Sequence, residues 1–193
     1  MHVKANYLTL PEVFRVLDVN PSLVTSWLED GSLKARRMPR GVLAVATLAL
    51  LHLLLRKGMA LPHGFEGSVH ALVIDDEPAM LRSTARLLKR SAPHLEVRLA
   101  AGALEGWREV VARPPDVVLL DMYMPELTGT ELCVRIKERP STSGVLVVGF
   151  SGRRDPVLEA DFARAGAIAV LDKPPDVQQL LQVLERSSTE TLS

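Results

Sequence analysis

Five polar residues between positions 75 and 173 have side chains that can do chemistry together. They are Asp75, Asp76, Asp121, Ser151 and Lys173. Clustered carboxylates repel one another, so that they either raise a pKa or hold a cation. Ligands that are all oxygens favour a hard cation, and Mg²⁺ typically uses a few carboxylates while it keeps waters that a phosphate can displace. A carboxylate nucleophile, a metal, a cation and a hydroxyl together suit phosphoryl transfer onto Asp121.

Lys173 and Ser151 supply the two groups that such a transfer uses besides the metal. The lysine is a flexible point charge for a phosphoryl or carboxylate oxygen, and the serine hydroxyl is a donor that can rotate toward one. Either residue alone is more often a surface lysine or a turn hydroxyl, but their positions relative to Asp121 favour the chemical interpretation. Asp75 and Asp76 could instead cap a helix, although a cap needs one carboxylate and not a pair.

These residues follow short apolar segments that alternate with amphipathic segments from residue 70 onward. The predicted strands are Ala71–Ile74, Val97–Leu99, Val117–Leu120, Val145–Phe150 and Ile168–Leu171. The predicted helices are Ala79–Arg90, Gly102–Ala112, Leu127–Glu138, Pro156–Ala165 and Val177–Arg186. Uninterrupted Val, Ile and Leu indicate strands that are buried on both faces, as in a parallel sheet covered by helices. We therefore predict a five-stranded, parallel, doubly wound α/β domain of the flavodoxin-like type, with its ligand crevice at the carboxyl ends of the strands.

Four sequence blocks in this region resemble the receiver domain of response regulators. The blocks are Val73-Ile74-Asp75-Asp76-Glu77-Pro78, Leu120-Asp121-Met122-Tyr123-Met124-Pro125 followed by Gly129, then Ser151-Gly152, and Lys173-Pro174. They occur in the family's order and at its separations. The resemblance covers residues 69–188.

The resemblance implies a role for each polar residue of the blocks. Asp121 is expected to accept phosphate from a histidine kinase or a phosphotransfer protein. Mg²⁺ is expected to be bound by Asp75, Asp76, Asp121 and the backbone carbonyl of Tyr123. Ser151 and Lys173 are expected to contact the phosphoryl group, and the Lys173–Pro174 bond is expected to be cis.

One position departs from the family pattern. Receiver domains often carry Tyr or Phe three residues before the lysine, where this chain has Val170. A valine cannot act as the aromatic rotamer switch that the family uses there. Ser151 and its loop can still respond to phosphorylation.

Two short helices and a basic segment are predicted near the N-terminus. Thr9-Leu10-Pro11-Glu12 matches a capping box with proline at the first helical position, so a helix should run from there to about Leu17. Asn20-Pro21 repeats this start signal, and the second helix should end near Glu29 before Gly31. This pattern describes a helix-turn-helix. A basic loop or wing and an apolar third helix at residues 47–57 follow.

The N-terminal segment resembles the small winged helix of MerR-like and excisionase-like DNA-binding proteins. The match lies in Tyr7-Leu8-Thr9-Leu10-Pro11-Glu12-Val13, Val19-Asn20-Pro21, Val24, Trp27, Gly31, Leu33 and Ala35-Arg36-Arg37. For DNA, phosphate contacts are expected from Lys34, Arg36, Arg37 and Arg40, and base contacts from Ser22, Thr25 and Ser26. The second helix carries none of the basic residues common in that family, so the module can alternatively bind protein.

We expect two domains, because 193 residues suffice for one ordinary and one small domain. The predicted division is a winged-helix module at 1–60, a linker at 61–68, a receiver domain at 69–188 and a polar tail at 189–193. Leucines surround the third helix more completely than one buried stripe requires, which indicates an interface at residues 47–57. That interface can be a homodimer seam or a seam between the two domains.

Composition narrows the class of protein. Residues 1–65 carry eight Lys or Arg against four Asp or Glu, and residues 66–193 carry fifteen against nineteen, so the basic part is suited to a polyanion. The one cysteine, Cys133, excludes an intramolecular disulfide framework. The apolar run Val42–Leu55 is too short to span a membrane, so a cytoplasmic location without membrane contact is expected.

These patterns together predict a response regulator that is a switch and not a metabolic enzyme. The leading function is transcriptional regulation that depends on phosphorylation. The alternative is an adaptor whose winged helix binds protein instead of DNA.

Overall fold

The chain divides into two compact units in the computed structural model, which describes residues 7–38, 41–57, 59, 69–92, 95–125, 127–153 and 155–190. The first unit groups residues up to 68 with residues from 181 onward, and the second unit is Val69–Leu180. This grouping assigns 181–188, which we expected in the receiver domain, to the first unit. The predicted linker at 61–68 lies outside the described residues.

The first unit begins with a strand and two helices. Strand β1 is Tyr7–Thr9, helix α1 is Leu10–Leu17 and helix α2 is Pro21–Glu29. The capping box predicted for α1 is present, with Glu12 Oε2 accepting from the backbone N of Thr9 at 2.8 Å. At the start of α2, Asn20 Oδ1 accepts from the backbone N of Ser22 at 3.0 Å. Both predicted helices are thus confirmed.

A three-stranded antiparallel sheet and a third helix complete the described N-terminal part. Strand β2 is Ala35–Arg37, β3 is Leu43–Ala46 and α3 is Thr47–Arg56, and the strand order is β1-β3-β2. The centre of the sheet is Val45, which pairs with Leu8 on one side and Ala35 on the other. A basic loop or wing was predicted here without strand bounds, since β2 reads Ala-Arg-Arg and lacks apolar alternation.

Helices α1 and α2 share an apolar core. Val13 and Leu17 of α1 and Val24 and Trp27 of α2 are all buried. Trp27 is therefore a core residue and not an exposed ligand platform. On α3, the predicted interface helix, Leu50, Leu53 and Leu54 are fully buried within one chain, so their burial requires no second copy.

The second unit is a parallel five-stranded sheet with helices between its strands. The strands are β4 Val69–Ile74, β5 Leu95–Ala100, β6 Val117–Asp121, β7 Leu146–Ser151 and β8 Ala169–Asp172, in the order β5-β4-β6-β7-β8. The helices are α4 Pro78–Ser91, α5 Ala103–Ala112, α6 Gly129–Glu138 and α7 Pro156–Arg164, and α8 Val177–Glu190 begins in this unit and continues into the residues from 181 onward that group with the first unit. This strand order is the flavodoxin-like one, and it confirms the predicted fold class.

The burial of β6 agrees with the predicted parallel sheet, and α8 is longer than predicted. Every residue of β6 is buried, as expected for a central strand covered on both faces. Helix α8 continues to Glu190, so the first two residues of the predicted polar tail are helical. None of the helices in the part of the chain that the structure describes is long and apolar enough to cross a membrane.

Candidate functional site

Three carboxylates meet where β4 and β6 end. The two strands are neighbours in the sheet, and the direction of strand order reverses between them, which is where ligands bind in such folds. One ligand oxygen each of Asp75, Asp76 and Asp121 lies within 4.8 Å of the others. Asp75 and Asp121 are buried and Asp76 is exposed. The cluster therefore has one open side.

Lys173 reaches this cluster from the end of β8. Its Nζ lies 2.6 Å from Asp75 Oδ2 and 2.9 Å from Asp121 Oδ2, and its side chain is almost completely buried. The backbone N of Lys173 donates to the carbonyl of Ser151 at 2.8 Å, which joins β8 to the end of β7. The Lys173–Pro174 peptide bond is cis.

Burial and pairing act in opposite directions on this ion pair. Burial raises the pKa of Asp121, although hydrogen bonds from Lys173 and from the backbone N of Tyr123 lower it. Burial lowers the pKa of Lys173, but its hydrogen bonds to Asp75 and Asp121 outweigh burial and leave that pKa raised. The short contacts favour a charged lysine, because an ammonium between two carboxylates is stabilised by both.

Backbone groups orient the two buried carboxylates. Asp75 Oδ1 accepts from the backbone N of Glu77 at 2.9 Å, and Asp121 Oδ1 accepts from the backbone N of Tyr123 at 3.2 Å. A Cβ added at Gly129 would lie 2.3 Å from the carbonyl oxygen of Asp121, far inside contact distance. Helix α6 therefore begins against the end of β6, and this close approach requires glycine there.

The donor set fits the expected metal. Three carboxylates supply only oxygen, and Lys173 offsets one of their three charges, so the cluster retains negative charge when all three are ionised. Hard oxygen ligands and an open side suit Mg²⁺, which keeps part of its water shell. Asp75, Asp76 and Asp121 are the side chains that would hold it. The carbonyl of Tyr123 stays a ligand implied by resemblance.

Ser151 lies at the end of β7 but its hydroxyl is engaged in the following loop. The hydroxyl donates to the carbonyl of Arg153 and accepts from the backbone N of Arg153 at 3.1 Å. The side chain of Ser151 is buried. The structure thus places Ser151 at the same sheet edge as Asp121, with its hydrogen directed into its own loop.

Sequence reasoning missed a contact between two loops at this edge. The Tyr123 hydroxyl donates to Asp155 Oδ2 at 3.4 Å, and the Arg153 guanidinium lies 5.7 Å from the centroid of the Tyr123 ring. The resemblance implies a role only for the backbone carbonyl of Tyr123. No sequence pattern predicts a contact between exposed side chains on different loops.

The predicted DNA-contacting residues lie on several elements of the first unit. Ser22, Thr25 and Ser26 are exposed on α2, while Lys34 and Arg37 are exposed and Arg36 is half-buried on or beside β2. The hydroxyls of Thr25 and Ser26 donate to carbonyls of their own helix, at 3.0 and 2.8 Å.

Two of the arginines make contacts inside the first unit. Arg36 lies over the Tyr7 ring, 5.8 Å from its centroid, and Arg37 donates to the carbonyl of Gly41 at 3.4 Å. Arg40 lies outside the described residues.

Comparisons with known proteins concern mainly the second unit. Residues 71–185 match the family described as the response regulator receiver domain. The chain is 32% identical over 117 residues to the DNA-binding transcriptional regulator NtrC of Azospirillum brasilense, covering 60% of this chain and 23% of that protein. It is 30% identical over 118 residues to the nitrate/nitrite response regulator protein NarL of Escherichia coli (strain K12), covering 61% of this chain and 53% of that protein.

A solved structure has a similar fold. The response regulator receiver domain protein from Clostridium thermocellum is 30% identical, with a TM-score of 0.55 over 63% of this chain and 94% of that one. The chain spans only part of the curated relatives that it matches, for example 34% of a protein-glutamate methylesterase/protein-glutamine glutaminase from Hahella chejuensis at 29% identity over 121 residues, or 60% of this chain.

Proposed function

The chain belongs to the response regulator receiver family, and we propose that it is a switch in which Asp121 accepts a phosphoryl group and thereby controls the N-terminal module. The donor is a histidine kinase or a phosphotransfer protein. The observation that carries this proposal is the position of Asp121, a buried carboxylate 2.9 Å from Lys173 Nζ and beside Asp75 and Asp76.

The chemistry follows from these positions. A carboxylate oxygen of Asp121 attacks phosphorus, the bond between phosphorus and the donor's imidazole nitrogen breaks, and the leaving imidazole takes up a proton. Mg²⁺, when bound, offsets the charge of the phosphoryl oxygens. Lys173 can contact an oxygen of a phosphoryl group on Asp121, because its Nζ already lies beside Asp121. Ser151 adds a hydrogen bond after its hydroxyl leaves the Arg153 carbonyl.

Phosphorylation from a small donor tests this proposal. Acetyl phosphate should add one phosphoryl group to the wild-type chain in Mg²⁺ and none when EDTA removes the metal, as read by intact mass spectrometry. Phosphate brings roughly −1.5 to −2 charge into an acidic site, so the metal and Lys173 must offset it. Asp121→Asn should stay unmodified, whereas the control Asp116→Asn, at the other end of β6, should be modified as the wild type is. Equal labelling of Asp121→Asn would exclude Asp121 as the acceptor.

DNA is the first candidate for the target of the N-terminal module. The cations Lys34, Arg36 and Arg37 near the β2–β3 hairpin and the hydroxyls on α2 support it, as does the helix-turn-helix arrangement itself. Two similar proteins, NtrC and NarL, are named as regulators, and NtrC is named as DNA-binding. Transcriptional regulation is therefore the function we propose for the whole chain.

A protein target is the second candidate, and one feature of the surface favours it. Helix α2 carries no Lys or Arg and is followed by Asp30, so it offers no cation to DNA. Leu23 on α2, together with Val42 and Leu43 of the hairpin, is exposed, between 37% and 44% for each residue. Apolar side chains on a prospective recognition surface suit a protein partner better than a phosphate backbone.

A further inference from the structure

Tyr123 connects the phosphorylation site to the loop between β7 and α7. It lies two residues after Asp121, and its hydroxyl donates to Asp155 Oδ2 at 3.4 Å. The Arg153 guanidinium lies over its ring at 5.7 Å. The other oxygen of Asp155 accepts from the backbone N of Val157 and Leu158, at 3.1 and 3.2 Å, and so begins α7. The carboxylate of Asp155 thus links Tyr123 to the first turn of α7.

Ser151 makes the same loop sensitive to the state of Asp121. A serine hydroxyl has a single hydrogen, and Ser151 donates it to the carbonyl of Arg153. To donate to a phosphoryl group on Asp121, Ser151 must break that contact. The step rests on the function proposed above. Its consequence is that phosphorylation removes a hydrogen bond from the loop that Tyr123 holds.

Position 170 does not offer another route for the signal. Val170 has no ring to turn. A Cβ added at Gly149 would lie 3.0 Å from two ring carbons of Phe162 and 3.2 Å from Cγ2 of Val170. Phe162 is fully buried. Phe162 and Val170 therefore already occupy the space beside Gly149.

We propose that Tyr123 is the positioning residue that transmits phosphorylation of Asp121 to the protein surface. In the unmodified chain it holds the β7–α7 loop through Asp155 and Arg153. When Ser151 turns toward the phosphoryl group, the loop shifts and Tyr123 is released. The ring is 41% exposed, so it can move outward without opening a cavity in the core.

The surface that changes is the groove between α6 and α7. This groove has a volume of about 670 Å³, and its walls include Tyr123, Met124, Thr130, Leu158 and Asp161. Tyr123 and the first turns of α7, through Leu158 and Asp161, both form walls of the groove. Release of Tyr123 from Asp155 separates these walls, so the phosphorylated state differs from the unmodified state in the shape of this groove.

Hydrogen exchange of the full chain, measured by mass spectrometry, tests this proposal. The probe is beryllofluoride with Mg²⁺, which stands in for the phosphoryl group on the aspartate. In Tyr123→Phe, exchange in residues 151–158 without the probe should be roughly 2- to 10-fold faster than in the wild type, the factor that one lost hydrogen bond gives. The further change on adding the probe should then be small.

Two other variants make the comparison specific. Asp155→Ser keeps an oxygen that can cap α7 but has no second polar atom that reaches the phenol, so it should behave as Tyr123→Phe does. Tyr7→Phe is the matched control, since it removes the hydroxyl of the chain's other tyrosine in the first unit and should leave exchange at 151–158 unchanged.

The outcomes separate this proposal from the function on which it rests. A wild-type response at 151–158 that both variants lose supports it. A response that both variants retain in full overturns it, as does a wild type that takes phosphate from acetyl phosphate without any change in the loop or the groove. Absence of both phosphate uptake and any response in the wild type overturns the proposed function, and this proposal with it.

Discussion

Lys173 offsets part of the negative charge of the acidic cluster. Its ammonium bridges Asp75 and Asp121 at 2.6 and 2.9 Å, which fixes both carboxylates while the site is free of phosphate. Removing one partner from a buried pair is costly, because the other charge is left without water or a counterion. The same lysine can then exchange one carboxylate contact for a phosphoryl contact.

The buried thiol of Cys133 should make the stability of the fold depend on pH. The thiol is buried on α6 and lies 3.4 Å from the carbonyl of Ala165. Burial raises the pKa of Cys133 from 9.0 to about 11. Between these values the unfolded chain loses the proton and the folded chain keeps it, so the free energy of unfolding should fall as pH rises from about 9 to about 11.

Urea unfolding of wild type and Cys133→Ala across this pH range measures the effect. The difference in slope between the two proteins isolates the thiol, since the other groups that titrate there are common to both. At neutral pH the native thiol should react with iodoacetamide far more slowly than the unfolded one. Equal slopes together with fast native labelling would contradict a buried thiol.

The cluster of acidic residues with Lys173 was predictable from the sequence, but the side-chain contacts of Tyr123 and Ser151 were not. Asp75, Asp121 and Lys173 follow apolar runs, and the rule that strand ends share one edge brings such residues together. The contact of Tyr123 with Asp155 joins exposed side chains that are 32 positions apart, and exposed contacts impose no pattern on the sequence. Nor does the sequence decide which acceptor takes the hydrogen of Ser151.

At the scale of elements, burial on both faces explains what could be foreseen. Strands β4, β6 and β7 of the second unit are rich in Val, Ile and Leu because helices cover both sides of the sheet, whereas the edge strand β5 also contains Glu96 and Arg98. Strands β1 and β2 have three residues each, and β2 contains two arginines, so pairing with β3 and not local sequence defines them. Edge strands this short are not revealed by alternation of apolar and polar residues in the sequence.

Helix α3 gives the prediction for this scale. Leu54 is fully buried within one chain, so Leu54→Glu should lower the free energy of unfolding by several kcal/mol through an unpaired buried carboxylate. Thermal unfolding followed by circular dichroism measures this. The matched control is Leu43→Glu, the same change on β3 at a residue that is 39% exposed, which should alter stability little. A wild-type dimer that Leu54→Glu converts to a folded monomer would instead support a homodimer seam.

In the whole molecule, the N-terminal third of the chain and the remainder carry opposite net charge. Residues 1–65 have eight basic and four acidic residues, a net of +4, and residues 66–193 have fifteen and nineteen, a net of −4. A polyanion such as DNA would therefore be attracted to the N-terminal third and repelled by the remainder. Phosphorylation adds roughly −1.5 to −2 to the acidic part. Net charge thus favours the N-terminal third as the part that would contact DNA.

Salt dependence of DNA binding distinguishes the two candidate targets. If Lys34, Arg36, Arg37 and Arg40 contact phosphates, log K should fall with log salt at about −0.9 per contact, or about −3 to −4 for one module. Arg36→Ala with Arg37→Ala should flatten the slope by about two. Arg82→Ala with Arg86→Ala, an equal loss of charge on exposed positions of α4, should leave it unchanged.

The DNA sequence for that salt titration is obtained by selecting, from random DNA, the fragments that bind the phosphorylated chain. Thr25→Ala with Ser26→Ala should alter the preferred sequence more than the slope, because base contacts specify while phosphate contacts position. Arg36 already stacks on Tyr7, so its share of the slope should be smaller than that of Arg37 in the single variants. If neither phosphorylation state enriches a sequence and both double arginine variants bind alike, DNA is not the target, and the exposed Leu23, Val42 and Leu43 become the surface on which to seek a protein partner.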